Sequence, residues 1–370
     1  MEQFRQMVNL CIIIGLETNR TSLKSLSNAS YHRLKVFDIR SKYRLCAISR
    51  AAGILKNYRN LSKKHRVRVP YCHQAGLTIC YDLRIRNNEL RLPGSCHIPL
   101  NRYVLNVLSE PGLRLRSTIL TDRRIGISYS KETRLIVPMG MLGIDMNLNN
   151  TTAVDSLGNI LVHDLSKVTL IKSSSRQTIA RFRRDDARVR QRIAGKYGRI
   201  QRNRTQWLLH NASRKLVDHA RTKRLGIALE NIKGIRRLYQ KGNGQSHYYR
   251  GRLNSWSYYE LDRQLSYKAS WEGLPVVHVD PKGTTSKCSV CGDRMVFSKE
   301  SRTLQCPPCK YYVDRDVNAA RNVLSAGLRF SLLGLSDEAV RGNPMTMVIP
   351  GVDDSQSSLA VEAHPKQLKT

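Results

Sequence analysis

Acidic residues are what this sequence is short of. Across 370 residues, 28 Asp and Glu face 63 Lys and Arg, leaving a formal net charge of +35. Such an excess repels itself unless a polyanion neutralises it, which disfavours an ordinary metabolic enzyme and points to a nucleic-acid partner. The basic residues run through every segment instead of gathering beside one apolar stretch, so a membrane-surface role is disfavoured too. No apolar run reaches the ~18 residues of a membrane span. The early stretch MVNLCIIIGL lacks a small-residue cleavage site and continues into ETNRTS, so it reads as a core helix and not a signal peptide. A disulfide framework is missing as well. Five of the nine cysteines (Cys11, Cys46, Cys72, Cys80 and Cys96) are scattered and odd in number, which suits a reducing compartment and a soluble, cytoplasmic protein. No internal repeat is visible.

What is present changes texture along the chain. Residues 1–70 are basic and carry apolar residues at helical spacing, as at Tyr43, Leu45, Ile48, Ala52 and Leu55, up to the helix-stopping Pro70. Residues 71–138 alternate with period two between turn formers such as Asn87-Asn88 and Pro93-Gly94, which predicts a small antiparallel barrel or sheet. From 139 come three short strands (MLGIDMN, TTAVDS, ILVHDL), a long basic helical hairpin over about 176–224, and the apolar strands GIALE and LPVVHVD. One hairpin stripe runs through Ile179, Phe182, Val189 and Ile193, another through Leu208, Ala212, Leu216 and Ala220. A cysteine-rich module at 285–312 precedes a terminal helix at 313–333. Residues 334–370 are weakly patterned and read as a disordered tail.

Three acids stand out against the basic background. Asp145 sits in the first apolar strand, Glu230 at the end of GIALE, and Asp316 at the start of the DVNAARNVL helix. Carboxylates beside a strand core are costly unless a cation neutralises them. Strands, helices and further strands in this order match a ribonuclease-H-like α/β domain, in which such acids meet at one sheet edge. Magnesium takes oxygen ligands and keeps several waters, so a few carboxylates suffice, and a pair of ions can serve both oxygens of a phosphodiester displacement. Each acid has a bland alternative: Asp145 could pair with the turn at Asn147 to Asn150, Glu230 with Lys233, and Asp314 or Asp316 could cap the last helix. We assign the cap to Asp314 and the metal to Asp316, and read Asp155 as a turn residue before Gly158. Cys288 and Cys291, then Cys306 and Cys309, form two C-x-x-C knuckles separated by fourteen residues. Four thiolates leave no open position, so the expected ion is a structural zinc.

The stretches GIDMNLNNTTAV, LENIKGI, LNSWSYYELDRQLSYKA with VVHVDPKGTTSKCSVCG, and CPPCKYYVDRDVNAARNVL resemble the transposon-encoded TnpB (OrfB) family, relatives of the type V CRISPR effector nucleases. They match its three RuvC segments and zinc ribbon in order and spacing over about 140–325. The resemblance implies an RNA-guided, magnesium-dependent DNA endonuclease of the RuvC type, tied to transposition and DNA recombination. Its partners would be a guide RNA and a double-stranded DNA target. Residues 1–70 would be a helical recognition lobe and 71–138 a wedge-type barrel. Residues 139–284 would be the nuclease core, with the ribbon inserted before its last helix. Asp145, Glu230 and Asp316 would hold Mg2+, and the four cysteines Zn2+. Members usually have Gly after the fourth cysteine, where this chain has Lys310. Two alternatives stand beside this reading: a nuclease-inactive RNA-guided DNA-binding protein, and a transposase that carries out strand transfer.

Overall fold

Apolar residues three and four apart wind the start of the chain into helices α1 (Glu2–Glu17), α2 (Leu23–Ser30) and α3 (Ser41–Ser62). The computed structural model describes every residue except 64, 95, 183–185, 233, 240–241, 243, 299–301, 333–344 and 351–370. The apolar stretch near the N-terminus is indeed a core helix: Met7, Val8, Cys11, Ile12 and Ile14 are buried. Ser22 caps α2 by accepting from Ser25 N. The chain divides into two compact units, residues 1–132 with 343–370, and residues 133–342.

The first unit continues with β1 (Leu77–Ile79), β2 (Arg84–Arg86), β3 (Glu89–Arg91), β4 (His97–Pro99), α4 (Arg102–Leu108), β5 (Leu113–Leu120) and β6 (Arg124–Lys131). Asn87 and Asn88, with φ of 55° and 60°, turn β2 into β3 as a tight hairpin requires. Among the described residues the strands make two antiparallel sheets and not one closed barrel. β2–β4 pair only with one another, and their three-residue length gives no means of closure. The tail also departs from expectation. Met345–Pro350 form a strand antiparallel to β6, because the run Met-Thr-Met-Val-Ile has the β-propensity to occupy that open edge. The remainder of 334–370 lies outside the described residues.

Residues 133–138, read from sequence as the end of the barrel segment, belong with the second unit: Ile136 N donates to Gly273 O and Thr133 Oγ1 to Ser270 O. There the chain forms β7 (Gly140–Met146), β8 (Asn150–Asp155), β9 (Ile160–Asp164), α5 (Ser166–Ala180), α6 (Ala187–Thr222), β10 (Leu225–Glu230), α7 (His247–Asn254), α8 (Tyr258–Trp271) and β11 (Val276–Val279). The five strands lie in the order β11-β10-β7-β8-β9. β7, β8 and β9 are an antiparallel meander, whereas β10 and β11 run parallel to β7. After β11 come β12 (Val296–Phe297), β13 (Thr303–Gln305) and β14 (Tyr312–Asp314), a small antiparallel sheet of their own, then α9 (Arg315–Leu332) and the strand above, β15 (Met345–Pro350).

The five-stranded sheet has a core on each face. On one side Leu142, Ile144, Ala153, Ile227 and Leu229 pack with Leu209, Leu216 and Ala220 of α6 and Leu261 and Leu265 of α8. On the other, Met141, Ala228 and Val279 pack with Val323 of α9. Asp155, the buried last residue of β8, holds the turn that follows by accepting from Leu157 N, Asn159 N and His219 Nε2.

Candidate active site

Period-two alternation decides where the acids go. Leu142 and Ile144 of β7 enter the core beneath α6 and α8, so Met141, Gly143 and Asp145 face α9. In β10, Ile227 and Leu229 enter that same core, and Ala228 and Glu230 face α9. Leu229 pairs with Ile144 in parallel register, which sets Glu230 level with Asp145 at the carboxyl ends of the two strands. Asp316 is the second residue of α9. The helix can lie this close because a glycine on each side, Gly143 of β7 and Gly327 of α9, leaves room at the contact. A Cβ on Gly143 would fall 2.4 Å from Leu324 N and 2.5 Å from Ala320 O, and one on Gly327 2.5 Å from Ala228 Cβ.

Burial and mutual repulsion shape the electrostatics. Asp145 is only 6% exposed. Its carboxyl is pushed up to about 7, first by desolvation and then by the charges of Glu230 and Asp316, against the opposing hydrogen bond from Asn147 Nδ2 at 2.6 Å. Burial also raises Glu230, while the Thr284 hydroxyl, donating at 2.6 Å, partly offsets this. Asp316, 2% exposed, accepts from Asn150 Nδ2 at 2.9 Å and meets Arg315 Nε at 3.3 Å. Arg302, just before β13, also closes on Asp316 through Nη2 and reaches Asp314 through Nε at 3.6 Å. Asp314 accepts from Asp316 N at 2.8 Å and Val317 N at 3.3 Å, so it is the cap of α9. The Asn147 contact shows that the bland pairing of Asp145 coexists with the acid cluster. Lys233, the alternative partner for Glu230, lies outside the described residues.

A buried acid pushed up by desolvation and by two neighbouring acids is a group short of a cation, and the carboxylate oxygens of the three suit a hard divalent ion. The three carboxylates are nevertheless not drawn into ligand contact. Among the described residues, only the four cysteines gather three or more ligand atoms of His, Cys, Asp or Glu, and theirs all lie within 4.8 Å of one another. Cys288 Sγ is 3.7 Å from Cys309 Sγ, and Cys291 Sγ is 3.3 Å from Cys306 Sγ. Those separations are near the ~3.8 Å edge of a tetrahedron with ~2.3 Å metal–sulfur bonds. Against the penalty of burial, N–H donors from Cys291 and Val290 hold the Cys288 thiol down to about 7. Met295, Leu304 and Tyr311 pack around the buried pair Cys288 and Cys306.

Several supporting residues carried no sequence signal that we used. Asn318 of α9 donates to Lys287 O at 2.8 Å and accepts from Ser289 N at 3.0 Å. Asn322, one turn on, donates to Thr284 O at 2.7 Å and Lys287 O at 2.8 Å. The two asparagines fasten the first knuckle to the helix that carries Asp316. Their i, i+4 spacing in DVNAARN is the signal that would have found them.

The model of the Cas12f1-like TNB domain matches residues 258–323, which contain all four cysteines and Asp316. The TnpB-like protein MJ0751 of Methanocaldococcus jannaschii is 28% identical over 218 residues, covering 54% of this chain and 77% of that protein. The CRISPR-associated endodeoxyribonuclease Cas12f1 of Sulfoacidibacillus thermotolerans is 32% identical over 116 residues, 31% of this chain, which spans only 25% of that relative. A Cas12f1 chain, solved by cryo-EM with sgRNA and target DNA, shares the fold with a TM-score of 0.56 at 12% identity, covering 87% of this chain and 80% of the other. In the second knuckle, the acid-led helix and the strands that precede them, this chain is similar to TnpB-like and Cas12f1 proteins.

Proposed function

We propose that the chain is an RNA-guided DNA endonuclease whose α/β unit is an RNase H-like, RuvC-type nuclease domain with an inserted zinc ribbon. The observation that carries this is the alternation along β7 and β10, which turns Asp145 and Glu230 toward the helix led by Asp316. Support also comes from the strand order, a three-stranded meander with two strands added parallel to its first, and from the names of the relatives.

In this reading Asp145, Glu230 and Asp316 hold magnesium, which, when bound, lowers the cost of forming hydroxide and of expelling the leaving oxygen of a phosphodiester. The chain's own residues prepare that chemistry. Thr284 and Asn147 fix the carboxylate rotamers of Glu230 and Asp145, Asn150 orients Asp316, and Arg315 balances its charge. The ribbon cysteines hold zinc, and Asn318 and Asn322 transmit the ribbon's position to α9. Guide RNA pairs with the target strand, and the positive charge spread over the chain neutralises both backbones.

The test is guide dependence. RNA is stripped from purified protein, and either the co-purified RNA or one with an altered guide segment is returned. Cleavage of double-stranded DNA should require the RNA, require magnesium and move with the guide. Equal cleavage without RNA, or a cut position that ignores the guide, overturns the reading.

A further inference from the structure

Helix α6 presents a face to solvent that the nuclease chemistry does not use. Its core side is accounted for by Leu209, Ala212, Leu216, Val217 and Ala220. The opposite side repeats at intervals of three and four through Lys196, Ile200, Arg204, Trp207, Asn211 and Arg214, all exposed. At its centre Trp207 is 66% exposed, and Ile200, two turns away, is 37% exposed. A tryptophan so exposed in the middle of a helix is unusual, since indole is among the side chains that gain most from leaving water. Around it the charge is almost wholly positive. Among the described residues no carboxylate pairs with Lys196 or Arg204, and Asp218 meets Arg214 only at 3.5 Å.

We propose that this face is a stacking platform for an unpaired nucleotide: a base lies on the Trp207 indole, and the phosphates on either side of it run along Arg204 and Arg214. Charge selects a polyanion over an apolar protein partner. The tryptophan selects a single strand over a duplex, because a helix laid against a closed duplex touches phosphates and offers a flat aromatic ring nothing to stack on. The ten residues from Arg204 to Arg214 rise ~15 Å, so the two cations bracket the ring along one strand. Unpaired RNA and a displaced DNA strand share this chemistry. The inference deepens the nucleic-acid reading above but needs neither cleavage nor magnesium.

The experiment uses the full chain, freed of nucleic acid, in magnesium-free buffer, with oligo(dT), oligo(rU) and a blunt DNA duplex of equal length as probes. Tryptophan fluorescence should be quenched by the single strands and not by the duplex, and Trp207→Phe should remove most of that quenching. Trp207→Ala should bind single strands about tenfold more weakly with an unchanged salt slope, and Trp207→Tyr should recover most of the loss. Arg204→Ala and Arg214→Ala should each lower the salt slope by about one ion. The stronger of the two single-strand responses identifies RNA or DNA as the occupant. Undiminished affinity in Trp207→Ala with its fold intact overturns the proposal. So does quenching by the duplex alone, or a wild-type self-association lost in Trp207→Ala, which would assign the face to a second copy of the chain. Because none of these readouts involves cutting, failure of guided cleavage leaves the result interpretable.

Discussion

The guanidinium of Arg302 lies on the carboxylate of Asp316, joining the ribbon to the first turn of α9. Without divalent cations, the pair and Arg315 supply the positive charge that Asp316 requires. Arg302 is 59% exposed, so the pair sits between the screened and the buried limits. Arg302→Gln should therefore cost about 1 kcal/mol in magnesium-free buffer. It should also enlarge the stabilisation gained on adding magnesium, since the cation then displaces no guanidinium. Thermal unfolding with and without magnesium measures both. An unchanged difference between the two conditions would show that arginine and metal do not compete for Asp316.

Asp145 supplies the pH dependence. Its carboxyl titrates near 3.8 in the unfolded chain and at about 7 when folded. Below the lower value both states are protonated and nothing is lost. As pH rises, the unfolded chain ionises first, so the native state loses ground until about pH 7 and carries the full cost above it. Asp145→Asn should accordingly be more stable than the parent by roughly 2 kcal/mol at pH 8 without magnesium, with the gain shrinking toward pH 5. The same variant should lose the extra stability that magnesium confers. Denaturant melts at both pH values decide the matter, and a gain that grows on acidification contradicts the assigned cause.

The placement of Asp145 and Glu230 was legible because each ends an apolar run whose alternation is local: MLGID and GIALE announce which residues turn away from the core. The cysteine knuckles were legible for the same reason, their spacing being short. Arg302 was not, because thirteen residues and a hairpin separate it from Asp316, and only the folded ribbon brings them together. Gly143 passed unnoticed since nothing nearby in sequence reveals a helix from residues 315–332 against it. Alternation foretold the antiparallel strands of β1–β6 but does not specify which strands pair, so it left barrel and sheet undecided. The strand at Met345–Pro350 was missed because an edge on β6 supplies the partner that its sequence alone lacks.

Asp314 and Asp316 lie two residues apart and should separate cleanly. Asp314→Ala removes the acceptor for Asp316 N and Val317 N and should cost about 1 kcal/mol of stability while leaving guided cleavage nearly intact. Asp316→Ala should abolish cleavage while guide-RNA affinity stays within twofold or so, because on the proposed function it removes a metal ligand and no phosphate contact. Equal losses of cleavage in the two variants contradict this division of labour.

The ribbon predicts a metal count and a backbone cost. Purified protein should carry one zinc, and Cys306→Ser should lose it and render residues 285–312 protease-sensitive, because metal binding supplies the module's folding energy. Lys310, directly after Cys309, adopts φ of 54°, the left-handed region in which a Cβ is strained. Glycine, usual there in the family, avoids that strain. Lys310→Gly should stabilise the ribbon by about 1 kcal/mol and slow zinc transfer to a chelator. Chelator competition followed by absorbance gives the comparison, with faster transfer in Lys310→Gly counting against the argument.

Gly143 tests whether the acids act through the packing that places them. A methyl group there meets backbone, Leu324 N and Ala320 O, not the yielding end of a side chain. Either β7 or α9 must move, and overpacking of this kind costs ~1–3 kcal/mol. Since Asp145 lies two residues along β7 and Asp316 at the start of α9, such a movement shifts the two carboxylates relative to each other. Gly143→Ala should therefore keep its zinc and its affinity for RNA yet lose most of its magnesium-dependent cleavage, although no ligand atom has been changed. Gly53→Ala, at a helical position where a Cβ meets nothing within 4 Å, is the control and should be neutral or stabilising by up to ~1 kcal/mol. A folded Gly143→Ala that cleaves at the parental rate would mean that the close approach of α9 to β7 does not set the distance between the acids.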